Sequence, residues 1–304
     1  MHHWIGRDGL RLAGDTWGDP GGPLVVLQHG GGQTRHAWKG AGEALGNAGY
    51  HAVAFDTRGH GDSEWSPAAD YSPDAMVADL RAVIDGVGGG RPVLVGASMG
   101  GGTSLVAVGE DHIDATALVL VDVAPQVDAG GVGRIRDFMA QKPEGFRSLE
   151  EVADAIASYQ PHRERPRNLD GLAKNVRLGD DGRYHWHWDP VLRGDGIRKL
   201  DLEHRRARLH ACAQRLTLPT LLVRGGLSDL LTEEGAQQFL ATVPHAEYVD
   251  VPGAAHMVAG DRNDVFAGAV IEFLSRTVPV DGSPVQTPHE LHPFGNEAPT
   301  LDIP

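Results

Sequence analysis

The pentapeptide Gly96-Ala97-Ser98-Met99-Gly100 places a serine among small residues, directly behind the apolar run Val93–Val95 and ahead of a helix-like run. Glycines on both sides permit a tight strand-to-helix turn that exposes the hydroxyl at a sheet edge, where a helix start also offers free N–H groups. Ser98 is therefore the expected nucleophile. As a bare five-residue match it would be no more than a helix N-cap, and the strand before and the helix after decide against that. A serine hydroxyl attacks poorly at its own pKa, so a base must take its proton and a carboxylate must orient the base. Gly225-Gly226-Leu227-Ser228-Asp229 follows the run Leu221–Val223, and Gly253-Ala254-Ala255-His256-Met257 follows Tyr248–Val251. Both sit at strand ends, in the chain order Ser, Asp, His. His256 is the expected base. Asp229 is the expected acid, since a loop aspartate after the penultimate strand is the usual position in that order. Asp122, in Leu120-Val121-Asp122-Val123, closes a strand at the same edge and competes for the role.

The tetrahedral intermediate of acyl transfer needs N–H groups aimed at its developing oxyanion. His29-Gly30-Gly31-Gly32 follows the run Leu24–Leu27, and its glycines let the backbone come close. The N–H groups of Gly31 and Met99 are the expected donors, with Gly32 the alternative if the loop is shifted. Read alone, the same glycines are equally an ordinary turn after a strand.

These residues meet only if the strands that carry them share an edge. The continuous apolar runs Leu24–Leu27, Ala52–Phe55, Val93–Val95, Leu118–Val121 and Leu221–Val223 suit strands buried on both faces, hence a parallel sheet. Met76, Val77, Leu80, Val83, Ile84 and Val87 repeat at helical spacing between two of them. Strand and helix in alternation predict a doubly wound α/β fold, whose strands bring their C-terminal ends to one edge. The alternation stops after Val123 and resumes at Leu218. Residues 1–123 and 218–277 thus read as two parts of one core, 124–217 as a mostly helical insertion, and 278–304 as a proline-rich extended tail. Within the insertion, Ser148 and Glu151 form a capping-box pattern ahead of Leu149, Val152, Ala153 and Ile156. In Tyr184-His185-Trp186-His187-Trp188-Asp189-Pro190 a strand-like period sends Tyr184, Trp186 and Trp188 to one face. That face would either roof the site with an apolar surface, Trp186, Trp188 and Tyr159 lining a substrate pocket, or serve as the insertion's own small core. His185 and His187 lack a third ligand at familiar spacing, and no metal is expected there.

Composition narrows the partners. With 27 basic and 41 acidic side chains the net charge is −14, which repels nucleic acid and anionic lipid. Cys212 is the single cysteine, so no intramolecular disulfide forms. No apolar stretch approaches the roughly 20 residues of a membrane span, and the first twenty residues lack a signal peptide's apolar region, so a cytoplasmic location is expected. Neither G-x-x-x-x-G-K-[ST] nor H-E-x-x-H occurs, and His289 and His292 have the wrong spacing to share a helix face. No cofactor and no metal are expected. The partner is a small molecule, and the tail is long enough to pack on a second subunit of a homo-oligomer.

Taken together, the chain resembles the α/β-hydrolase superfamily over Leu24 to about Val123 and Leu218 to about Leu274, with 124–217 standing where that family carries its helical cap. Asp56-Thr57-Arg58-Gly59-His60-Gly61-Asp62-Ser63 adds a match to the family's D-x-R-G-x-G-x-S loop. Epoxide hydrolases and haloalkane dehalogenases share the cap but have an aspartate where this chain has Ser98. The resemblance implies a serine hydrolase of a carboxylic ester or lactone. The Ser-Met pair and the glycine-rich loop also resemble a cofactor-free perhydrolase branch, in which peroxide replaces water. A non-catalytic receptor on the same scaffold is a third expectation, since a fold does not fix a function.

Overall fold

The chain opens on an antiparallel hairpin, β1 (His2–Ile5) and β2 (Arg11–Trp17). It then alternates through β3 (Leu24–Gln28), α1 (Lys39–Asn47), β4 (His51–Phe55), α2 (Pro73–Gly86), β5 (Val93–Ala97), α3 (Met99–Gly109) and β6 (Ala117–Val121). An insert follows, with α4 (Ala129–Met139), α5 (Leu149–Tyr159) and the antiparallel pair β7 (Val176–Leu178) and β8 (Tyr184–Trp186); α6 (Leu202–Gln214), placed in the insertion by the sequence pattern, packs instead with the layer that covers the main sheet. The alternation resumes with β9 (Thr220–Gly225), α7 (Glu233–Thr242), β10 (Glu247–Val251), α8 (Val258–Asp261) and α9 (Asn263–Thr277). The computed structural model describes residues 1–163, 165, 169–193 and 202–280. The expected tail from 281 onward, with His289 and His292, lies outside the described residues.

The main sheet has eight strands in the order β1-β2-β4-β3-β5-β6-β9-β10, parallel from β4 to β10. Its central strands are apolar throughout because both faces are covered. Val26, Val53, Leu94, Leu118, Leu120 and Leu222 face a layer with α2, α3, α6 and α7. Val25, Leu27, Val95, Val119, Val121 and Val223, one residue out of step, face α1 and α9. The result is a doubly wound α/β sheet, as the apolar runs predict. The hairpin was not foreshadowed by such a run: β1 is an exposed edge strand with only Trp4 buried, and β2 fades from buried to half-buried toward Trp17.

Register fixes the working edge. Ala97 pairs with Val121, Val121 with Val223, and Gly225 with Val251, so the residues that follow these positions emerge side by side. Above that edge lies the insert, with a third apolar cluster of its own that includes Met139, Phe146, Val152, Trp186 and Trp188. Its α5 begins at Ser148, whose Oγ accepts from the Glu151 N–H, while the Glu151 carboxylate accepts from Arg147 N–H rather than from Ser148.

Candidate active site

β5 ends at Ala97 and α3 starts at Met99, which leaves Ser98 alone to make the turn. It does so at φ 50° and ψ −108°, a left-handed conformation that costs a residue with a Cβ on the order of 1–3 kcal/mol and concentrates at functional turns. Two glycines make the turn feasible. A Cβ on Gly96 would stand 2.5 Å from the Gly100 backbone, and one on Gly100 would stand 2.5 Å from the Gln28 carbonyl oxygen. The Ser98 N–H donates to the Val121 carbonyl at 3.1 Å, tying the turn to the end of β6.

The next residue after Val121 is Asp122, and it holds His256. Asp122 Oδ2 accepts from His256 Nδ1 at 2.6 Å and from Ser228 Oγ at 2.5 Å, while its Oδ1 accepts the Gly225 N–H at 3.0 Å. Three donors satisfy a carboxylate that is fully buried. With Nδ1 donating to the acid, Nε2 of His256 is left as the acceptor nitrogen. Asp229, expected from its position after the penultimate strand, does not partner His256. Its exposed carboxylate accepts instead from Arg134 Nε on α4 at 2.6 Å. The turn after β9 explains the exchange: Ser228 N–H bonds back to Gly225, its side chain points inward to Asp122, and the next side chain points out. Ser228 is a site residue the sequence reading missed, and its only signal was its place one residue before the favoured acid.

Gly31 and Gly32 form the loop after β3. The Gly32 N–H donates to His60 Nε2 at 3.2 Å, whereas the Gly31 N–H has no hydrogen-bond partner among the described residues. Met99 is the first residue of α3, where N–H groups have no intrahelical acceptor. A Cβ on Gly30 would lie 3.2 Å from Ser98 Cβ, so the loop runs directly beside the serine. The Asp56–Ser63 loop buttresses it. Arg58 makes a two-pronged bond to buried Asp79, at 2.6 and 2.8 Å, and Arg35 binds Asp56 together with Asp15 and Asp62. Gly61 takes a φ of 56° against the Asp56 carboxylate, where a side chain would collide.

Trp186 and Trp188 stack at 4.7 Å with their rings 13° apart, in keeping with the one-face expectation. Both belong to the insert's apolar cluster, and Trp188 also reaches the glycine loop after β3, its Cζ3 3.5 Å from where a Gly32 Cβ would stand. Tyr159 stacks on Phe138 at 4.3 Å, and burial beside the Asp229 charge pushes its phenol up to about 12. A narrow cleft lined by Gln33, Trp38, Ala97, Val121, His256 and Met257 runs beneath the histidine.

Residues 23–262 match the family described as the alpha/beta hydrolase fold. The chain belongs to that family. An esterase of Mycobacterium tuberculosis is 30% identical over 256 residues, 81% of this chain and 80% of that protein. A 3-hydroxybutyrate-oligomer hydrolase of Cupriavidus necator is 29% identical, over 81% of this chain and 87% of its own length. Among solved structures, E-2-(acetamidomethylene)succinate hydrolase superposes with a TM-score of 0.77 at 21% identity, over 90% of this chain and all of that one, a likeness of fold. With esterases among its relatives, this α/β-hydrolase is an enzyme that acts on esters. No helix among its described residues is long and apolar enough to cross a membrane.

Proposed function

We propose that the enzyme is a serine esterase, working on a carboxylic ester or lactone through an acyl-enzyme, with Ser98, His256 and Asp122 as its triad. Ser98 Oγ attacks the carbonyl carbon while His256 Nε2 takes its proton. Asp122 keeps the proton on Nδ1 and stabilises the imidazolium as it forms. The N–H groups of Gly31 and Met99 receive the oxyanion. His256 then protonates the departing alkoxide, and afterwards deprotonates the water that releases the acid. Residues 124–193 act as the cap, excluding bulk water and shaping the pocket with Trp188 and Tyr159.

The observation that carries this assignment is the 2.6 Å bond between His256 Nδ1 and a fully buried Asp122, at the edge where Ser98 makes its strained turn. The test is intact mass after treatment with a fluorophosphonate, on wild type and Ser98→Ala, beside hydrolysis of a chromogenic ester. One adduct and turnover on wild type alone are expected. Turnover by Ser98→Ala would overturn the mechanism. Halide oxidation with acetate and peroxide, run on the same samples, separates hydrolysis from perhydrolysis.

A further inference from the structure

Two consecutive peptides of the glycine loop after β3 are each engaged by a different histidine, and a third histidine holds the neighbouring turn. The Gly30 carbonyl accepts from His29 Nδ1 at 2.8 Å and from the Gln33 N–H at 3.1 Å. A trans peptide points its N–H opposite to its carbonyl, so the Gly31 N–H is turned away from His29. In the next peptide the Gly32 N–H donates to His60 Nε2, and His60 Nδ1 donates to the Arg58 carbonyl at 3.1 Å, which fixes the tautomer. The third grip comes from the insert. His187 Nδ1 accepts the Gly61 N–H at 2.8 Å, which leaves the proton on Nε2. That Nε2 is buried, without a partner at hydrogen-bond distance among the described residues. The rings follow one another, His29 to His60 at 5.2 Å and His60 to His187 at 6.1 Å, and Trp188 closes the row edge-on to His187.

We propose that His29 and His60 are positioning residues that set the peptide planes of the Gly30–Gly32 loop, and that His187, by holding the Gly61 N–H next to His60, makes presentation of the Gly31 N–H depend on the seating of the insert. This rests on Gly31 serving as an oxyanion donor. The insert's grip on the core is concentrated at the same place. The Asp189 N–H donates to the Gly59 carbonyl at 2.8 Å, Tyr71 binds the Asp189 carboxylate, and Arg177 binds the Gly61 carbonyl. Burial holds all three imidazoles neutral, which each bonding pattern requires, since an imidazolium has no acceptor nitrogen for Thr57, Gly32 or Gly61. An insert that lifts away takes His187 with it and leaves the Gly61 N–H, in the turn that carries His60, without its acceptor.

The test compares ground-state and oxyanion binding in His187→Phe, which keeps a ring against Trp188 and removes both nitrogens. A chromogenic ester gives kcat and KM, and a trifluoromethyl ketone, whose adduct bears the oxyanion, gives the inhibition constant. For His187→Phe, kcat and inhibitor affinity are expected to fall together by roughly 10- to 100-fold, less than the roughly 10²- to 10³-fold that losing one oxyanion donor outright costs, with KM within about twofold. His187→Gln, which carries a donor and an acceptor, is expected to recover most of the loss. If the phenylalanine variant fails to fold, His187→Asn, which is shorter and withdraws the acceptor from the Gly61 N–H, is expected to show the same split. A folded variant with unchanged kcat and inhibitor affinity would overturn the proposal, as would a rise in KM alone. Loss of wild-type fluorophosphonate labelling, or turnover without Ser98, would instead overturn the serine mechanism beneath it.

Discussion

At the scale of single residues, everything turns on which carboxylate faces His256. Asp122 and Asp229 follow neighbouring strands, β6 and β9, whose ends are in register through Val121 and Val223. Spacing and chain order therefore could not separate them. Side-chain direction does, because Ser228 is the residue that points inward and Asp229 the one that points out to Arg134. A consequence follows for two substitutions that are equal in chemistry. Asp122→Asn leaves the shape of the site but lets the imidazole adopt the wrong tautomer, and kcat is expected to fall by about 10³- to 10⁴-fold. Asp229→Asn breaks one exposed ion pair and is expected to leave kcat within about twofold. Steady-state kinetics on a chromogenic ester checks both, and the reverse ranking would return the acid's role to Asp229. Ser98 and His256 were legible because a strand, a small-residue turn and a helix surround the first, and a strand end precedes the second. Nothing comparable marked His187, whose partner Gly61 lies 126 positions away in the chain.

At the scale of elements, the pattern of apolar runs was enough wherever a strand is covered on both faces, and α2 announced itself by helical spacing; the structure adds the Ser72 cap, which accepts from the Ala75 N–H. β1 and β2 escaped it because an edge hairpin needs burial on only part of its length. The insert shows the same limit from the other side. Its aromatics were legible as one face, but whether that face was roof or core depended on what packed beneath. Its cluster is separate from the two that cover the main sheet, so damage there should stay local. Trp186→Ala removes the ring on which Trp188, Phe146 and Phe138 all pack, and a cost of about 3–5 kcal/mol is expected within the insert. Hydrogen exchange should accelerate across α4, α5 and β8 while β3, β5 and β6 keep their protection. Equal acceleration in the sheet strands would show that insert and core unfold as one unit.

For the molecule as a whole, the buried histidines govern stability on the mildly acid side. Burial lowers His29 to about 4 and His60 to about 3, and holds His187 well below its ordinary value. Charges around them pull both ways: Arg35 on His29, Asp56 and Asp189 on His60, and Arg177 on His187. Half-buried His36 and buried His51 are shifted in the same downward direction. For a group that folds in its neutral form, the unfolded chain binds the proton first. The stabilising contribution is therefore complete above about pH 6.5 and is lost as the pH falls from there toward the lowered folded values. Carboxylates held low by partners, such as Glu110 at about 2 beside Arg208, act only below the ordinary carboxylate range; buried Asp56, pushed up by burial, opposes the histidines, which dominate by number between roughly pH 4.5 and 6.5. Each neutral histidine contributes a slope of up to about 1.4 kcal/mol per pH unit in that window. Denaturant unfolding at a series of pH values should show stability falling steeply from pH 6 to pH 5 in the wild type. His187→Gln, which takes up no proton, should flatten that slope by close to one proton's worth. A slope unchanged by the substitution would mean that His187 is protonated in the folded enzyme, and the Gly61 N–H would then face a nitrogen that cannot accept it.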